Sequence, residues 1–176
     1  MATSSFTVTR HVAGSPPVRR RFSDLARAVR PRLARLFLVL RVYVLLMVMR
    51  GVISTVSLRS ITARLGTPLE ETPRDGVRED QLRYARRVGW AIHGAAGRTP
   101  TNSNCYPQAL TAWWLLHRKH IPTTFYYGAA FEEDGTALQA HVWVRCGPLI
   151  VTGGGPRRRF APLTWFADIR PPDSPP

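Results

Sequence analysis

Ser103-Asn104-Cys105-Tyr106-Pro107-Gln108-Ala109-Leu110 decides the fold, and Ala140-His141-Val142-Trp143-Val144 is its counterpart. Asn104 or Ser103 can cap a helix. Pro107 is tolerated only in a first helical turn, which fixes the helix start within a residue or two. Cys105 then falls among the unpaired N–H groups and the positive dipole end that favour a thiolate. The helix reads on through Ala109, Leu110, Ala112, Trp113 and Leu116 to about Lys119. It is apolar on most sides, the pattern of a central core helix.

After His120-Ile121-Pro122 the periodicity becomes that of strands. Thr123 to Ala130 and Leu138 to Arg145 are β-branched and aromatic, joined by the hairpin-like Phe131-Glu132-Glu133-Asp134-Gly135. Cys146-Gly147-Pro148 is a turn, and Leu149 to Thr152 a third strand that Gly153-Gly154-Gly155-Pro156 breaks. Arg157-Arg158-Arg159 is a basic cluster, and Phe160 to Phe166 is one more short strand or packing segment. This order is α+β: a central helix packed on a small antiparallel sheet, the layout of papain-like and transglutaminase-like cores. A thiol at the helix start and an imidazole on the middle strand are the two parts of a cysteine nucleophile. The bland alternatives are a buried apolar Cys105 and a hydrogen-bonded core His141.

Upstream, Asp80 to Ala96 reads as a helix with Leu82, Ala85, Val88, Ile92 and Ala95 on one stripe. Residues 69–78 are polar, with Pro73 and Gly76, and form a boundary. Leu58 to Leu65 is a helical stretch closed by Gly66. Ser23-Asp24 can cap a helix from near Leu25, which Pro31 interrupts or restarts. Leu33 to Val56 is apolar over a length that could span a bilayer. Arg41 would sit well inside such a span, at a cost of about 2.5–3.5 kcal/mol. Arg41 and Arg50 point to opposite faces at helical period, which counts against a clean amphipathic surface helix. A helix packed on the rest of the protein or a partner, an interfacial helix and a true span all remain open for residues 33–56. The expected organisation is a flexible lead-in over 1–22 without the features of a secretory signal. An apolar helical arm follows over 23–78, then a peptidase domain over 79–168 and a Pro-rich tail over 169–176.

The chain has 176 residues, enough for one domain and an arm, and carries 25 basic against 11 acidic residues, a net charge of +14. That excess favours an anionic partner. Lys119 is the only lysine; an arginine bias of this kind follows from a GC-rich coding sequence, so nucleic acid is not an expected partner. Two cysteines build no disulfide framework, and zinc-ligand spacing is absent, so neither metal nor cofactor is expected. Cys146, beside Gly147-Pro148, has no helix end near it and reads as incidental.

His117 and His120 lie roughly 18–22 Å along the helix from Cys105 at ~1.5 Å per residue. His93 precedes the loop and stays within range, and His11 lies in the lead-in. A third group should orient the His141 ring. A hairpin folded about Gly147 sets residue 141 opposite 153, and Val151-Thr152-Gly153-Gly154 holds no carboxylate. The Thr152 hydroxyl or a backbone carbonyl is left for the task; Asp134 and Asp168 have no strong support from spacing.

The stretch from about Val88 to Ala167 resembles the transglutaminase-like cysteine protease domain of the lasso peptide leader peptidases, the B proteins of lasso peptide biosynthesis. Val88-Gly89-Trp90-Ala91-Ile92, Cys105-Tyr106-Pro107-Gln108-Ala109-Leu110 and Leu115-Leu116-His117-Arg118-Lys119-His120-Ile121-Pro122 carry the resemblance. So do Tyr127-Gly128, Ala140-His141-Val142-Trp143-Val144 and Ile150-Val151-Thr152-Gly153-Gly154. The apolar arm ending Ala63-Arg64-Leu65-Gly66 is similar to the helical N-terminal part of that family, so the resemblance covers about residues 25–167. It implies a cysteine protease that removes the leader of a ribosomally made precursor peptide before a partner cyclase closes the ring. Cys105 and His141 fall on the family's nucleophile and base. The family's usual Asp is missing at Thr152-Gly153. The first 24 residues are too short for the family's leader-binding element, so the resemblance points to the split form with a separate leader-recognition protein. The expected partners are the precursor, that protein and the cyclase, in the cytoplasm, with membrane association through 33–56 as an open alternative. The competing expectations are a non-catalytic scaffold that binds peptide or cyclase, and amide cross-linking. Arg157-Arg158-Arg159 is either a dock for an acidic leader or a solvated face.

Overall fold

Residues 18–99, 104–132, 135 and 137–169 are described by the structure, a computed structural model, with the side chains of 18–31 and Pro156 excepted. The helices are α1 (Val18–Thr55), α2 (Leu58–Thr62), α3 (Glu79–Ala96) and α4 (Cys105–His117). The strands are β1 (Thr67–Pro68), β2 (Thr123–Phe131), β3 (Leu138–Cys146), β4 (Leu149–Thr152) and β5 (Ala161–Asp168), the last preceded by a 3-10 turn at Pro156–Arg159. The chain divides into two compact units, Met1–Arg35 and Leu36–Pro176. In the first, helix begins at Val18 rather than near Leu25 and continues through Pro31. A proline removes one backbone hydrogen bond, and a 38-residue helix retains the others. All that follows concerns the second unit.

The sheet is antiparallel in the order β1-β5-β2-β3-β4. β2 and β3 pair from Thr124↔Arg145 to Phe131↔Leu138. β5 runs two residues beyond the end of the expected Phe160 to Phe166 segment and lies inside the sheet, pairing with β2 on one side and with β1 on the other. Side chains alternate across a strand. One face carries Phe125, Tyr127, Val142, Val144 and Cys146, all within or packed against the main core. α4 covers that face: the Tyr106 ring meets Phe125 at 6.4 Å and Tyr127 at 5.7 Å. Leu110, Leu115 and Leu116 of α4, Val88 and Ile92 of α3, and Val42 and Leu46 of α1 complete this core.

The other face holds a smaller cluster, in which Tyr126 stacks on Trp143 at 5.2 Å and Phe160 joins them. Here the Arg145 guanidinium is buried, with only 3 % of the residue exposed. A buried charge needs partners for its N–H groups. Nε donates to the Tyr126 hydroxyl and one terminal nitrogen to the Gly147 carbonyl, both at 2.9 Å. The other terminal nitrogen reaches the Thr72 carbonyl at 2.7 Å, Glu71 at 3.0 Å and Thr124 Oγ1 at 3.1 Å. The Thr72 N–H also donates to Thr124 Oγ1. The polar stretch 69–78, expected to be a boundary, is thus tied to the sheet by Arg145.

Gly128, opposite His141 in the β2–β3 pairing, leaves room for the Trp143 indole. A Cβ there would lie 2.8 Å from the Ala161 carbonyl oxygen and 2.8 Å from a Trp143 ring atom. Gly128→Ala should therefore destabilise the protein by about 1–3 kcal/mol, the usual cost of overpacking, measured by urea unfolding. A neutral effect would show that the indole has room to retreat.

Candidate active site

Asn104 is extended (φ −60°, ψ 175°) and precedes the first helical residue, Cys105, as the Pro107 argument requires. The Asn104 side chain makes no capping hydrogen bond. Cys105 is partly exposed and packs at the margin of the main core. On the next residue, the Tyr106 hydroxyl accepts from the Tyr127 hydroxyl at 2.9 Å. Burial raises the pKa of both phenols, so both stay protonated. Tyr106 accepts from Tyr127 and keeps its own hydrogen to donate.

His141 is buried. Its Nε2–H donates to the Gly153 carbonyl at 2.9 Å. A carbonyl can only accept, so this bond puts the proton on Nε2 and leaves Nδ1, in the neutral ring, as the proton acceptor. Phe160 lies against the ring at 4.8 Å and Trp143 at 5.9 Å. Those neighbours belong to the face away from α4. Tyr106 meets Tyr127, and Gly128, the next residue, pairs with His141. Thiol and imidazole therefore share one end of the sheet but lie on different sides of it. No hydrogen bond joins them. The physical reason is the pleat: residue 141 shares its side with 143 and 145, whereas 142 and 144 turn toward the helix.

Thr152 does not orient the ring. Its hydroxyl is buried and has no hydrogen-bond partner among the described residues. The register departs from a simple fold about Gly147, because a bulge separates Val144↔Thr152 from Arg145↔Ile150. Gly153 then turns back in the left-handed region (φ +72°), and a Cβ on it would lie 2.5 Å from the Val142 carbonyl oxygen. Only glycine fits this turn, and its backbone carbonyl takes the orienting place.

Asp168 is committed elsewhere: His117 Nδ1 donates to its Oδ2 at 2.7 Å, at the end of α4 remote from Cys105. His93 is exposed on α3 and lines a cleft of about 450 Å3 with Trp90, Thr152 and Gly153 to Gly155. Asp134 and His11 lie outside the described residues. The Tyr106–Tyr127 pair and Phe160 escaped the sequence reading, since an aromatic residue carries no signal of which face it joins.

Cys146 is buried on β3, and burial pushes its thiol up to about 11. Alkylation proceeds through the thiolate. At pH 8 only roughly a thousandth of a thiol at that value is ionised. Iodoacetamide should therefore label Cys105 alone in the native protein and both cysteines after denaturation, read by peptide mass spectrometry. Native labelling of Cys146 near pH 8 would mean that β3 opens.

The profile of the transglutaminase-like superfamily matches residues 47–164, more than half of the chain. The matched stretch contains α3, α4, β2 to β4 and the end of α1. No curated protein and no solved structure matches. With its central helix laid on an antiparallel sheet over that stretch, the chain belongs to the transglutaminase-like superfamily.

Proposed function

We propose that this protein is a cysteine peptidase that removes the leader from a ribosomally made lasso precursor peptide, with Cys105 as nucleophile and His141 as general acid and base. The hydrogen bond from His141 Nε2–H to the Gly153 carbonyl carries the reading. It fixes the tautomer in which Nδ1 can take the thiol proton. Cys105 is the first residue of α4, where backbone N–H groups lack helical partners. The thiolate attacks the scissile carbonyl. The imidazolium protonates the leaving amine, and a water then hydrolyses the thioester, returning the thiol.

This chemistry needs Sγ and Nδ1 in hydrogen-bond reach, whereas here they lie on different sides of the sheet, so peptide cleavage requires the start of β3 around His141 to leave its pairing with Gly128 when substrate binds. A separate leader-recognition protein presents the precursor, and a cyclase takes the product. The placement of the His141 ring beside Trp143 and Phe160 favours a second reading, in which the same core is a non-catalytic scaffold for peptide or cyclase.

Cleavage of a precursor by the full chain with its leader-recognition partner separates the two. Cys105→Ala and His141→Ala should each lower the rate by at least roughly a thousandfold, as loss of a nucleophile or its base does. Cleavage by Cys105→Ala at the wild-type rate refutes the peptidase reading. Undiminished precursor binding, with no cleavage by either protein, supports the scaffold.

A further inference from the structure

α1 shows the core only one side. In the unit that begins at Leu36, Val42, Leu46 and Met49 are buried in the main core, and the Arg41 guanidinium lies over the Trp114 ring at 5.6 Å. The other side is apolar and bare: Leu36 is 64 % exposed, Phe37 69 %, Leu40 58 %, Val44 52 % and Val48 50 %. At about 100° per residue these five form a single stripe. Arg41 and Arg50 are both exposed, one on each flank of it. Their half-turn separation, which in the sequence counted against a surface helix, brackets the stripe instead.

We propose that this stripe docks the protein on an anionic lipid surface, with residues 36–55 of α1 lying in the plane of the interface. Charge complementarity selects lipid over a protein groove. From Leu36 to Leu69 the sequence holds four arginines and no acidic residue. Arginines that border an apolar stripe add positive charge beside it, which anionic headgroups attract. The run Arg32–Thr55 is long and apolar enough to cross a membrane. Crossing, however, would strip Val42, Leu46 and Met49 from the core they share with α3 and α4. An in-plane helix keeps that side packed and offers lipid only the bare side. The proposal uses neither Cys105 nor His141 and stands apart from the peptidase reading.

Flotation of the full chain with phosphatidylcholine vesicles, neutral or containing about one third phosphatidylglycerol, tests it. The wild type should float with the anionic vesicles and hardly with the neutral ones. Leu40→Ser/Val44→Ser, which alters only exposed positions, should weaken binding by roughly tenfold or more, with circular dichroism confirming the fold. High salt should also weaken it, and alkaline carbonate should release the bound protein. Equal flotation of variant and wild type overturns the proposal, as does failure to bind anionic vesicles. Resistance to carbonate overturns it in favour of a span. A wild-type dimer that the double variant reduces to monomer, without vesicle binding, assigns the stripe to a second copy.

Discussion

Along β3, Val142, Val144 and Cys146 turn toward α4, and His141, Trp143 and Arg145 turn away. This alternation is not adjustable residue by residue, because a one-residue slip would send every side chain to the other face. Val142 and Val144 belong to the main core with Leu110, Leu115 and Leu116. Burial of each such aliphatic side chain is worth about 1.5–3 kcal/mol, so the core holds the register firmly. The position of His141 is then a consequence of packing several residues away.

The far face is organised by a charge. Arg145 is buried among an aromatic hydroxyl, two carbonyls, a threonine hydroxyl and the Glu71 carboxylate. A guanidinium left without such partners would cost several kcal/mol, so the segment that supplies them is drawn onto the sheet. Thr72 and Glu71 come from the polar stretch before α3, and Thr67 and Pro68 just upstream pair with β5. Tyr126, which receives the Arg145 Nε–H, also stacks on Trp143, whose ring lies against His141. One continuous set of contacts therefore runs from the arginine to the imidazole.

The orienting group at His141 is a peptide carbonyl. A carboxylate in that position would both fix the tautomer and stabilise the imidazolium. A carbonyl fixes the tautomer as well but offers a dipole in place of a charge. Gly153 makes this arrangement possible because its left-handed backbone brings the carbonyl to the ring in space that a Cβ would take from Val142.

The periodicities of the chain determined the elements themselves: the helix starting at Cys105, the strands β2, β3 and β4, and the helix α3, each within a residue or two at most of its boundaries. Local rules suffice there, since a proline, a capping position or a run of β-branched residues acts on its own neighbours. Tertiary structure decided the rest. It inserted β5 inside the sheet, drew Glu71 and Thr72 onto it through Arg145, and assigned Asp168 to His117 rather than to His141. It also set Cys105 and His141 on different sides of the same sheet end. The residue types were legible because chemistry resides in single side chains. The face each one joins was not, because it depends on which side of the pleat a distant helix covers.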